Sequence, residues 1–92
     1  MDDNIKLKLE VERAVGDEYA RAYESLVKPF IDRKRAELFE VFTEIPSSDI
    51  DGLIAIKLQS NALQSLNDEF RHYIQTGQMA RQSLTEKEES NG

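Results

Sequence analysis

Apolar residues recur at three- and four-residue steps through most of this chain, the period of an amphipathic helix. The cleanest stretch runs from Ser47-Ser48-Asp49-Ile50 to Tyr73-Ile74-Gln75-Thr76-Gly77. Within it Ile56, Leu63 and Phe70 are spaced by seven, and Gln59, Leu66 and Tyr73 hold the second seam position. Leu53, Ile54, Leu58, Ala62 and Ile74 broaden that stripe. Ser48 or Asp49 is placed to cap the helix start, with Asp51 after Ser48 forming a variant capping box. Gly77 suits the left-handed position just past a helix end. Residues 78–84 then read as one further short turn folding Met79 and Leu84 back, and residues 85–92 as a frayed or disordered acidic tail.

The first half is less regular. Tyr19, Tyr23, Leu26, Val27 and Phe30 follow helical spacing, as do Phe30, Ile31, Leu38, Phe39, Val41, Phe42 and Ile45. Pro29 interrupts the run, because proline removes a hydrogen bond and clashes with the carbonyl four residues back. A kink or helix boundary is expected at Lys28. Gly16 followed by Asp17 offers a second break, with Asp17 as a new N-cap, although a helix continuous through Gly16 is tolerable. Residues 5–12 alternate apolar and charged at period two, a strand signature. Leu7, Val11, Ala14 and Val15 equally share one helix face. With no second alternating run to pair with, helix is the preferred reading.

Pro46-Ser47-Ser48-Asp49 is the clearest turn, since Pro46 excludes Ile45 from helical geometry. A short loop between two apolar-faced helices makes them antiparallel neighbours. The expected fold is therefore all-α: an antiparallel helical hairpin over residues 17–84, its first helix kinked or broken near Gly16 and Pro29, preceded by an amphipathic segment over residues 1–16. Leu38, Phe42, Ile56, Leu63, Leu66 and Phe70 are its expected core.

Composition adds a constraint. A chain of 92 residues buries only about 60–65% of its unfolded surface. With no cysteine there is no disulfide framework or thiolate site. Self-association is the remaining route to more buried area, and the stripes are wide enough to supply it. Ile31, Phe39, Val41 and Leu58 are the candidate protein-interaction residues. Eighteen acidic residues against 12 basic ones give a net charge of −6, unfavourable for nucleic acid or anionic lipid. No apolar run is long enough to span a membrane, and the acidic N-terminus is the reverse of a secretory signal; a cytoplasmic location is expected.

Candidate chemistry is sparse. Glu69-Phe70-Arg71-His72 is one Glu-x-x-His match, whereas a di-metal carboxylate bundle needs two on facing helices. A solvated helix face explains it better, and no metal or other cofactor is expected. Lys28, Arg33, Lys34 and Arg35 form the only basic cluster, a candidate for anion contact. Three consecutive helical residues spread over about 200°, and Asp32 and Glu37 dilute their field. No phosphate loop, nucleophile elbow or metal cluster can be read, so no enzyme is expected.

Residues 17–84 resemble a group of small proteins of tailed phages and prophages, often encoded among virion-assembly genes. The resemblance is carried by the turn Pro46-Ser47-Ser48-Asp49 and the ending Tyr73-Ile74-Gln75-Thr76-Gly77-Gln78-Met79-Ala80. It implies a non-enzymatic role in a phage particle or its assembly, inside the host cell or within the virion, and brings no active-site residues with it. The alternatives are a nucleic-acid-associated protein using the basic cluster, and an acidic mimic that blocks a basic partner.

Overall fold

The computed structural model describes residues 2–91, with side chains through residue 87. Every described residue outside the loop and the N-cap is helical. The first arm is α1 (Asp3–Ala22), a single wide π turn (Tyr23–Val27) and α2 (Lys28–Glu44); the second is α3 (Ile50–Asn91), 42 residues long. The arms run antiparallel as a rod of 66 × 21 × 16 Å, the length expected for 42 residues rising about 1.5 Å each.

Residues 5–12 are helical, within α1. Asp2 caps that helix, its carboxylate accepting from the Asn4 backbone N–H at 2.9 Å. This satisfies one of the donors a helix start leaves open, and the alternation of charges lies along an exposed helix surface rather than across a sheet.

The expected kink is a π turn. The Lys28 N–H reaches the Tyr23 carbonyl, an i→i+5 bond that widens the helix by one residue. Pro29 then occupies the first turn of α2, where its missing N–H costs little. The extra residue moves the buried seam: Val27 is half-buried and Ile31 fully buried, while Leu26 is 72% exposed.

At Gly16 the structure selects the continuous helix, and at Gly77 it corrects the expected stop. The helix does not break at Gly16, which is buried within α1, and it does not stop at Gly77, which lies inside α3. No described glycine has a positive φ. The two glycines instead meet: a Cβ on Gly16 would lie 2.6 Å from the Gly77 Cα, and one on Gly77 would lie 2.7 Å from the Gly16 Cα. Two helix backbones touch there, which any larger residue would forbid. Ala80, 1% exposed, continues the close approach one turn on. The chain from Thr85, expected to fray, is helical to Asn91; Thr85-Glu86-Lys87 is compatible with helix, and Glu and Lys are good helix formers. The side chains of residues 88–91, and all of residue 92, fall outside the described set.

At the hairpin tip Ile45 is extended, with φ −73° and ψ 135°, as Pro46 requires. Asp49 caps α3, its Oδ1 accepting from the Gly52 N–H at 3.0 Å. Above the glycine contact, Tyr19 stacks on Tyr73 with centroids 4.5 Å apart and tilts against Phe70 at 5.2 Å. Next to it Tyr23 donates a 2.7 Å hydrogen bond to Asn67 Oδ1, and Asn67 is buried.

Candidate interaction surface

Most tertiary contact lies between α1 and α3. The α2 half is more open, because longer side chains separate its helices and leave apolar atoms at the surface. One groove of about 430 Å³ runs between α2 and α3, lined by Phe30, Lys34, Leu38, Val41, Leu63 and Leu66 among others. On the opposite flank a smaller depression of about 250 Å³ is lined by Arg35, Leu38, Phe39, Phe42, Ile56 and Ser60.

The four expected interaction residues do not form one set. Ile31, taken for a partner-facing residue, is 1% exposed and is the largest fully buried side chain. The π turn's extra residue rotates it inward, so it belongs to the core. Val41 lines the larger groove and Phe39 the smaller one. Leu58 is exposed on α3, one turn from Ala62 of the groove wall. Of the expected core, Leu38, Ile56, Leu63 and Phe70 are half-buried, but Phe42 and Leu66 are exposed and belong to the groove walls.

The basic cluster is dispersed and largely engaged. Lys34 pairs with Glu37 at 3.2 Å. Lys34 and Arg33 both lie about 6 Å from the Phe30 ring centre, within cation–π range. Arg35 donates to Gln64 at 2.8 Å, and Gln64 in turn donates to Asp68 at 2.8 Å. Lys28 borders a different depression, with Tyr23, Arg71 and Ile74. The four side chains therefore do not converge on one point of the surface. His72 is exposed and packs edge-on against Tyr73, and no group of three or more potential metal-ligating side chains occurs among the described residues.

The surface area quantifies the openness. A folded monomer of 10.6 kDa exposes about 5,500 Å² by mass scaling, whereas this chain exposes 6962 Å². The Cα radius of gyration is 19.6 Å, against about 12 Å for a globular domain of this length. Among the exposed apolar side chains, Phe39 (67%), Leu58 (63%) and Phe42 (53%) all lie in the loop-proximal half. No described helix is long and apolar enough to cross a membrane.

The chain matches no protein-family description, and no significant similarity connects it to a curated protein or to a solved structure.

Proposed function

We propose that the protein is a non-enzymatic helical interaction protein that works as a homo-oligomer and offers its loop-proximal half to other helices. The observation that carries this reading is the apolar groove between α2 and α3, in the half of the rod where Phe39, Phe42 and Leu58 are also exposed. Helix-on-helix packing is the mode such a surface favours, since its groove walls are themselves helix flanks at i, i+4 spacing.

The phage resemblance of residues 17–84 supports a role for this interaction protein in a virion or its assembly pathway. A two-helix rod with an apolar groove along one half suits a component that is built into larger particles. The test is mass spectrometry of purified particles and assembly intermediates from the source cell, alongside deletion of the gene. Peptides in either fraction, with loss of particle yield on deletion, are expected. Absence from both with normal yield contradicts the reading.

A further inference from the structure

We propose that the face bearing Phe30, Val41 and Leu66 is a two-fold interface with a second copy of this chain, in which the two α2 helices run antiparallel to each other. The proposal rests on the self-association argued above and adds the face, the direction and the register.

The observation is a symmetry in the groove lining. Along α2 the lining residues are Phe30, Lys34, Glu37, Leu38 and Val41; four of them, apolar, basic, acidic and apolar, are spaced symmetrically about the midpoint between Lys34 and Glu37, and Leu38 adds apolar surface outside that symmetry. Along α3 they are Gln59, Ala62, Leu63 and Leu66, symmetric about the midpoint between Ala62 and Leu63. Both midpoints lie on one groove, and the Arg35–Gln64 hydrogen bond holds them near the same level of the hairpin. A single two-fold axis perpendicular to the helices can therefore pass by both.

On α2 that axis sets apolar residues against apolar ones and brings Lys34 and Glu37, paired within each chain, into register across the copies; on α3 it sets Gln59 against Leu66. Phe30 meets Val41 of the second copy, twice, and Lys34 meets Glu37 of the second copy, twice. An isologous interface must be self-complementary in this way. An axis parallel to the helices would instead set α2 against the second copy's α3 and leave Lys34 and Glu37 without cross-chain counterparts. Ala62 beside the axis lets the α3 backbones approach closely. The opposite flank is a poorer candidate, because the Arg35–Gln64–Asp68 hydrogen-bonded chain and Ser60 interrupt its apolar surface.

The chain has no native cysteine, so one introduced thiol reports a single contact. Ala62→Cys, near the axis, is expected to form a disulfide-linked dimer rapidly under mild oxidation at micromolar concentration, and Ser60→Cys, on the other flank, is not. Solution scattering of the linked species should give a maximum dimension of about 100 Å, since two 66 Å rods overlap only near their loop ends; the axis lies about 13 Å, or nine residues of rise, from the end of α2. Lys34→Glu and Glu37→Lys are each expected to weaken dimerisation at least tenfold, and an equimolar mixture of the two to restore it. Efficient cross-linking through Ser60→Cys but not Ala62→Cys, or a mixture no tighter than its components, overturns this interface while leaving self-association intact. A wild-type chain that stays monomeric overturns both.

Discussion

Gly16 and Gly77, 61 positions apart in the sequence, bring the backbones of α1 and α3 into direct contact. A methyl group on either would sit 2.6–2.7 Å from the other's Cα, a separation no packed structure tolerates, so the helices would have to part. Gly16→Ala or Gly77→Ala gains about 1 kcal/mol of helix propensity but incurs an overpacking cost of up to about 3 kcal/mol. The expected net loss is about 1–2 kcal/mol, or roughly 5–10 °C in Tm for a domain of this size. Gly52→Ala is the control. Its Cβ would meet only side chains, those of Ile45 and Asp49; displacing Asp49 weakens its cap on the Gly52 N–H by about 1 kcal/mol, a loss that helix propensity of similar size offsets, so thermal melts should show a net change below about 1 kcal/mol.

The Tyr23–Asn67 hydrogen bond is the polar counterpart of that contact. Tyr23→Phe leaves the buried Asn67 carbonyl oxygen without its donor and is expected to cost about 1–2 kcal/mol. Replacing both, with Tyr23→Phe and Asn67→Leu together, should recover part of the loss. Urea denaturation of the four members of this cycle measures the coupling.

Asp17 joins the same region through an ion pair with Arg81 and a longer one to Arg13 at 3.9 Å. Its side chain is 37% exposed and that of Arg81 57%, so solvent screens the pair. Asp17→Asn should lower stability by less than about 1 kcal/mol. The difference should vanish when melts are repeated at about 1 M salt, where the screening length falls to about 3 Å.

The π turn determines which of two neighbouring aliphatic residues matters. Ile31→Ala is expected to cost about 2–5 kcal/mol as a core truncation. Leu26→Ala, one helical turn earlier and 72% exposed, should change stability by less than about 0.5 kcal/mol. The reverse order, with Leu26→Ala the costlier variant, would mean that the turn is a regular α-helical one.

The helices and the tip of the hairpin were legible in the sequence because their signals are local. Pro46 limits Ile45, and Asp49 caps the next helix, within five residues. Gly16 and Gly77 were not legible for the opposite reason. A glycine carries the same letter whether it ends a helix or admits another backbone, and only a partner 61 positions away decides between them. The burial of Ile31 is not legible in the pattern, because a 3.6-residue period carried through Tyr23–Val27 misses the residue the π turn inserts. The exposure of Phe39, Val41 and Leu58 was expected from stripes too wide for one neighbour. Their distribution over two flanks depends on helix rotation, which hydrophobic pattern alone leaves open.

The central claim is that the loop-proximal half of the hairpin is completed by another chain, and molar mass in solution tests it most directly. Light scattering over about 1–100 μM should give twice the 10.6 kDa chain mass at the upper end, falling toward one chain on dilution. Val41→Glu, which puts a charge into the apolar groove, should remain a folded monomer throughout. A wild-type mass of one chain at 100 μM, or a Val41→Glu variant that associates as tightly as wild type, would contradict the account.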